Sequence, residues 1–270
     1  MKTVVITGSS KGFGFAMLKE FRKRDFNCII SDIREDELKS AEENLKKING
    51  RGEVLSLYID VTDGNTVKAL IEKVVSKFGK IDIWINNAGV NQPDNYIWDI
   101  DDNTINRLID INLKGDIICS KIICKYMKKW GSGAIYFTEG FGYDGNARSK
   151  LTLYGSSKRG VNFFIDSLAK EFEDTNTNIL AGHIIPGIMI TNFIHKSLGS
   201  GKTIEIPEKT KLVYNVLGDY PETIAEYLVP KIIDNKKQNA HFVWLSNFRA
   251  ARKAIKGFVF GKHPDYFKDK

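Results

Sequence analysis

Cysteine is scarce: the 270 residues hold three thiols, and none stands in a Cys-x-x-Cys pair. Cys28 and Cys119 lie in apolar runs. The thiols therefore read as reduced core residues of a cytoplasmic protein, which excludes a disulfide framework and a thiolate metal site. Histidine is almost as rare, at four. His183 falls in an apolar strand and reads as a satisfied core residue, while His195, His241 and His263 have no partners at ligand spacing, so no metal is expected. No apolar run approaches membrane-spanning length, and the first is too short, with glycines behind it, for a signal peptide. Repeats, low-complexity runs and linkers are missing as well, which favours one domain; an α/β chain of this length buries a full core that way.

Acidic charge is also in deficit, but only locally. The net charge is +7. After residue 246, Arg249, Arg252, Lys253, Lys256, Lys262, Lys268 and Lys270 face only Asp265 and Asp269, so five of those seven charges belong to the tail. The rest is nearly neutral, which argues against a nucleic-acid-binding face. The chain divides into a main domain over 1–246 and a basic helix and tail over 247–270.

What is present begins at Thr7-Gly8-Ser9-Ser10-Lys11-Gly12-Phe13-Gly14. It follows the β-branched run Val4-Val5-Ile6 and precedes helically spaced apolar residues from Phe15 to Phe21. A strand, a glycine turn and a helix N-terminus leave backbone N–H groups free to hold a phosphate. The spacing predicts further strands at 28–32, 54–60, 81–86, 134–138 and 179–185. Helices are expected at about 35–48, 64–78, 103–130 and 151–173. This alternation, with strands apolar on both faces, implies a parallel sheet covered by helices on both sides. Residues 190–220 are irregular and read as a substrate loop over the site.

Four further segments follow in order: Asn86-Asn87-Ala88-Gly89, Asn112 within Ile111-Asn112-Leu113-Lys114-Gly115, Tyr154-Gly155-Ser156-Ser157-Lys158, and Pro186-Gly187-Ile188-Met189-Ile190-Thr191. Together with the glycine turn, they make the chain resemble the short-chain dehydrogenase/reductase family along nearly its whole length. The fold implied is α/β, a doubly wound, Rossmann-like parallel sheet in a single domain. Hydride transfer to a carbonyl needs a proton donor, and a tyrosine serves if its pKa falls from about 10 towards neutrality. Lys158, one turn after Tyr154, puts a cation on the same helix face for that purpose. The resemblance adds that Lys158 would hold the nicotinamide ribose and that Asn112 would anchor a proton-relaying water. It also implies that Thr7, Gly8, Ser10, Lys11, Gly12, Phe13 and Gly14 cradle the dinucleotide, with Asp60 and Val61 at the adenine. Asn86, Ala88 and Gly89 would line the ribose, and Pro186, Gly187, Ile188 and Thr191 the carboxamide.

One part departs from the family. Its substrate-polarising serine, thirteen residues before the tyrosine, falls here on Phe141, or on Gly140 when counted from Gly133. Neither side chain donates a hydrogen bond. Thr138 is the nearest substitute on the same strand face, with Glu139 and Tyr143 as alternatives. Loss of such a donor commonly costs about 2.7–4 kcal/mol. A second reading is therefore a catalytically weak dinucleotide-binding sensor or scaffold. The segment Glu139-Gly140-Phe141-Gly142-Tyr143-Asp144-Gly145 and the later Glu222–Pro230 are similar to the chlorophyll b reductase branch, which acts on a large flat tetrapyrrole. A carbonyl or alcohol substrate, large and hydrophobic, is implied.

Asp32, ending the second strand, would accept from an adenosine 2′-hydroxyl and repel a 2′-phosphate, whereas Lys11 and Arg34 would favour the phosphate. NAD is the expected cofactor, with NADP the alternative. Apolar surplus on the helices at 103–130 and after Lys158 (Ile117, Ile118, Ile122, Ile123, Phe163, Phe164, Leu168) predicts a homodimer or homotetramer. In the tail, Phe248, Ala251, Ile255, Phe258 and Val259 make one apolar helical face. With the basic residues around it, that face would either pack on the domain or give weak contact with an anionic membrane.

Overall fold

Thr3–Thr7 (β1) is buried at every position, as a β-branched run with sheet on both sides requires. The computed structural model describes residues 1–191 and 208–268. Within them, β1 lies inside a seven-stranded sheet, in the order β3-β2-β1-β4-β5-β6-β7. The other strands are Asn27–Asp32 (β2), Val54–Tyr58 (β3), Ile83–Asn86 (β4), Gly133–Thr138 (β5), Ile179–Ile185 (β6) and Ala240–Val243 (β7). All six pairings are parallel. The chain builds outward from β1 to β3, then crosses to β4 on the opposite side. This reversal opens a crevice at the carboxyl ends of β1 and β4, where a doubly wound sheet takes its ligand.

Two apolar layers sandwich the sheet. Gly12–Arg22 (α1), Glu35–Lys46 (α2) and Pro221–Ile233 (α8) cover one face, through residues such as Met17, Leu38 and Leu228. Gly64–Phe78 (α3), Gly115–Trp130 (α5) and Thr152–Asp174 (α6) cover the other, through Ile71, Ile123 and Ile165. The stretch expected as one helix from 103 to 130 is Asp102–Ile109 (α4), a π turn at Asp110–Lys114, and α5. The wider turn falls on Asn112, which is fully buried; single π turns inside helices often mark functional positions.

Three elements lie outside the sequence expectations. Glu208–Leu217 (α7) is helical, so the irregular reading of 190–220 is corrected there. Residues 192–207, which include His195, Gly199, Gly201 and Pro207, lie outside the described residues. Helix α8 begins with Pro221 at its first position, where the missing N–H costs nothing. Strand β7 is a four-residue edge whose pattern alternates too briefly to stand out.

The tail is helical, at Asn247–Ala254 (α9) and a π turn at Ile255–Val259. Its packing departs from the first of the two expectations, an apolar face laid on the domain. Arg249 stacks 3.8 Å from the centre of the Trp244 ring, and Lys253 pairs with Asp219 at 2.5 Å. Meanwhile Phe248, Ile255, Phe258, Val259 and Phe260 remain exposed, Phe248 at 80%. Basic residues hold the helix down and aromatic ones face outward. Of the apolar positions counted towards subunit contact, Ile123 and Leu168 belong to the core, while Ile117 and Phe163 are exposed.

Candidate active site

Gly8 has φ +62°, and a Cβ there would sit 2.8 Å from Ala88 Cα. The turn after β1 thus needs glycine to let the β4 exit loop pass. Asn87 locks the two loops by donating from Nδ2 to Thr7 O (3.0 Å) and Gly8 O (3.2 Å). Thr7 Oγ1 accepts from the N–H groups of Asn87 and Ala88. Helix α1 then starts with no side-chain cap and no acidic residue in its first turn. Its N–H groups and positive dipole end face the cavity, which suits an anion.

That cavity is about 1210 Å³, larger than the roughly 300–1,000 Å³ that holds one drug-sized ligand. Of the residues expected at a cofactor, Gly8, Lys11, Gly12, Phe13, Asp32, Asp60, Val61, Ala88, Gly89, Tyr154, Lys158 and Thr191 line it, as does Thr138. Thr7, Ser10, Gly14, Asn86, Asn112, Pro186, Gly187 and Ile188 are not in the lining. Asn86 is committed within the core: it accepts from Trp84 Nε1 (2.8 Å) and donates to Ser120 (3.3 Å). Asn112 holds the Val90 backbone, accepting from its N–H (2.8 Å) and donating to its C=O (2.9 Å). Its amide therefore shapes a wall of the cavity through Val90.

The rim beyond β2 is a four-charge cluster. Asp32 accepts from Ser10 Oγ (2.7 Å) and Arg34 Nη2 (2.9 Å). Glu37, which sequence reasoning missed, pairs with Lys11 (2.5 Å) and with Arg34 Nε (2.9 Å). Burial alone would raise Glu37, yet hydrogen bonds from Lys11 and Ser10 and the nearby cations hold it below the usual carboxylate range. Both cations expected to favour a 2′-phosphate thus already face carboxylates. Glu37 stands three residues after Arg34 in the first turn of α2, and that i,i+3 spacing was its signal.

Tyr154 and Lys158 project from the first turns of α6 into the same cavity, and both are buried. Gln92 fixes the start of α6, accepting from Tyr154 N (2.8 Å) and donating to Lys150 O (2.6 Å). Lys158 Nζ donates to Thr138 O at the end of β5 (2.9 Å). Burial raises the Tyr154 phenol above its ordinary value; Lys158 works against the rise and Glu139 adds to it. The lysine acts in the expected direction, but without bringing the net value down. Thr138 donates its hydroxyl hydrogen to Asn87 Oδ1 (3.1 Å), so the substitute donor is engaged. A Cβ on Gly140 would lie 2.1 Å from the Tyr154 hydroxyl oxygen. Glycine there lets the tyrosine occupy the space a serine would take. Gly142, at φ +94°, abuts Gly155, with a virtual Cβ 2.6 Å from the Gly155 Cα. This contact ties the glycine-rich segment to α6.

Behind the tyrosine, Glu139 is 3% exposed and lines the cavity. Its Oε1 accepts from His183 Nδ1 (2.8 Å) and Asn162 Nδ2 (3.1 Å), while Oε2 is buried with no hydrogen-bond partner among the described residues. Burial alone would lower His183; the hydrogen bond and charge of Glu139, with Asn239 and Asp166, lift it above its ordinary value. His183 is thus a satisfied core residue. The reading that His241 has no partner at ligand spacing is corrected, because it stacks on His183 with centroids 4.0 Å apart and a ligand atom of each lies within 4.8 Å of the other and of one on Asp166. Sequence spacing conceals that contact, which the pairing of β6 with β7 creates.

The short chain dehydrogenase family model matches residues 2–199. Chlorophyll(ide) b reductase NOL of Oryza sativa subsp. japonica is 31% identical over 268 residues, covering 96% of this chain and 75% of that protein. Probable chlorophyll(ide) b reductase NYC1 of Arabidopsis thaliana is 30% identical over 247 residues, 86% of this chain and 48% of that one, so the chain spans about half its length. Among solved structures, the alcohol dehydrogenase of Thermococcus sibiricus complexed with 5-hydroxy-NADP superposes with a TM-score of 0.76 at 20% identity, covering 92% and 97% of the two chains. That likeness establishes the fold.

Asp116, near the start of α5, is fully buried, and burial lifts its carboxyl to about 7 despite Lys158, with Glu139 adding to the rise. A folded state that holds a proton more tightly than the unfolded chain loses stability as pH rises from near 3.8 through about 7. The span corresponds to a contribution on the order of 4 kcal/mol. Asp116→Asn is expected to flatten that pH dependence and to raise the thermal midpoint at pH 8. Thermal melts of both proteins across pH 5–8 check it. Parallel curves would mean that Asp116 is ionised throughout.

Proposed function

The chain belongs to the short-chain dehydrogenase family of NAD(P)-dependent oxidoreductases, and from that premise we propose that it exchanges a hydride between a nicotinamide cofactor and a carbonyl or alcohol, with Tyr154 as proton donor. The observation that carries this reading is the placement of Tyr154 and Lys158 in the cavity onto which the uncapped α1 N-terminus opens. The residues present fit a dinucleotide: a Cβ at Gly12 would meet nothing within 4 Å, leaving open space beside the free N–H groups of α1. Bound there, the nicotinamide supplies or accepts the hydride. Tyr154 gives its phenolic proton to the forming alkoxide, and the Lys158 charge favours the phenolate left behind. Thr138 O fixes Lys158, and Asn112 steadies the wall through Val90. Cavity size and the two chlorophyll(ide) b reductase relatives support a large, apolar carbonyl substrate.

Gly140 favours a second reading, a dinucleotide-binding sensor with little turnover. Tyr154→Phe separates the two. Under the enzyme reading it lowers kcat by about 10²–10⁴-fold and leaves cofactor affinity nearly unchanged, whereas Lys158→Ala weakens both. A residual wild-type rate equal to that of Tyr154→Phe, with cofactor binding intact, would support the sensor.

NADH is the favoured cofactor. Asp32 and Glu37 together offset Lys11 and Arg34, so a 2′-phosphate meets two carboxylates before it meets a free cation. Fluorescence titration is expected to show tighter NADH than NADPH binding, and Asp32→Ala to shift the preference towards NADPH. Equal affinities in the wild type would show that Lys11 and Arg34 prevail.

The tail suits weak contact with an anionic membrane. Its outward Phe248, Phe258, Val259 and Phe260 stand beside Arg252, Lys256 and Lys262, which line a 420 Å³ hollow with Ile255 and Phe260. Each basic residue near such a surface contributes about 1 kcal/mol, screened by salt. Full-length protein is expected to float with anionic vesicles at low salt and not at high salt, and protein lacking 247–270 not to float. No flotation at low salt would leave the tail without this role.

A further inference from the structure

His183 and His241 are register partners on the adjacent parallel strands β6 and β7, so their side chains leave the same face of the sheet. That is why the rings stack, 4.0 Å apart and 13° from parallel. Helix α6 crosses this face and delivers Asp166. Its Oδ1 lies 3.4 Å from His183 Nε2 and accepts from Asn239 Nδ2 at 2.9 Å. One ligand atom from each of Asp166, His183 and His241 falls within 4.8 Å of the others.

We propose that Asp166, His183 and His241 form a binding site for one divalent transition-metal ion of the zinc class. Two imidazoles and a carboxylate are a donor set such ions accept, with a fourth position left open to solvent. Bonds of about 2.0–2.2 Å in a tetrahedron place neighbouring donors about 3.3 Å apart. The Asp166–His183 pair is already at that separation. His241 has to approach by about 1.5 Å at most, and it is exposed, so its ring can turn on its own side-chain torsions. The Asp166 side chain is 44% exposed and gives the ion a way in.

A second, independent observation is the far side of His183. Nδ1 donates to Glu139 Oε1 at 2.8 Å, and both side chains are fully buried. A metal-bound imidazole almost always gives its other N–H to a carboxylate or carbonyl, which sets the tautomer and strengthens the ligand. Here that support is built before any ion arrives. Nε2 is aimed at Asp166 and at Asn239 Oδ1, 2.8 Å away. An ion would take the place of the hydrogen that Nε2 directs at those oxygens. The site lies behind the catalytic cavity, and Glu139 belongs to both.

The test uses tag-free, full-length protein, stripped with a chelator and then freed of it. Zn²⁺ is titrated by calorimetry and Co²⁺ by visible absorption. The wild type is expected to bind one ion per chain at micromolar or lower concentration, with the intense Co²⁺ bands of a four-coordinate site. His241→Ala and Asp166→Asn, both at the surface, are each expected to weaken binding at least tenfold. Glu139→Gln removes no ligand and is expected to weaken it about 10–100-fold through the lost support. His263→Ala is expected to change nothing. Absence of a saturable site in the wild type, or a site that survives both His241→Ala and Asp166→Asn, overturns the proposal.

Discussion

A lysine ammonium buried at the end of a sheet is the constraint on which the site depends. Lys158 is 5% exposed and donates to one backbone carbonyl, Thr138 O. A charge so far from water persists only where neighbouring charge and hydrogen bonding compensate for lost hydration. Two buried acids lie near it on different elements: Asp116 on α5, whose carboxyl the lysine pulls down against burial, and Glu139 after β5, which opposes the lysine at Tyr154. Helix α6 is thereby pinned to β5 at the point where the chain turns towards Gly140. Tyr154, one turn earlier, inherits its position from that pin.

Gly140 follows from the same geometry. The tyrosine hydroxyl occupies the space a side chain at 140 would need, so a side chain there and the tyrosine in this position exclude each other. Beside the tyrosine the cavity wall therefore carries glycine at 140 and a buried carboxylate at 139.

The sequence made the alternation legible because parallel strands are apolar on both faces and the helices between them keep a 3.6-residue period. Six strands fell at or within three residues of their expected bounds. Strand β7 escaped because four residues with one charged-type ring among them carry little period, and α7 because its apolar residues sit in a polar stretch. Within the cavity, residues tied to glycine turns or to the Tyr-x-x-x-Lys spacing were readable one by one. Asn87 and Gln92 were not, and Glu139 was readable only as a stand-in for the serine, because each acts through a partner far along the chain and pairing of that kind has no local signature.

The nucleotide rim shows why charge counting along a chain misleads at such sites. Lys11 and Arg34 look like a phosphate clamp in sequence, and Asp32 looks like a lone opponent. Folding adds Glu37, and Ser10 bridges the two acids through hydrogen bonds of 2.7 and 2.9 Å. Each cation is then already paired, at 2.5 Å for Lys11 and 2.9 Å for Arg34. A 2′-hydroxyl needs only an acceptor, which Asp32 retains while bonded to Ser10 and Arg34. A 2′-phosphate would have to pull both cations from their carboxylates and leave two anions facing a third. The electrostatics of this rim thus rest less on any single residue than on the pairing of all four charges.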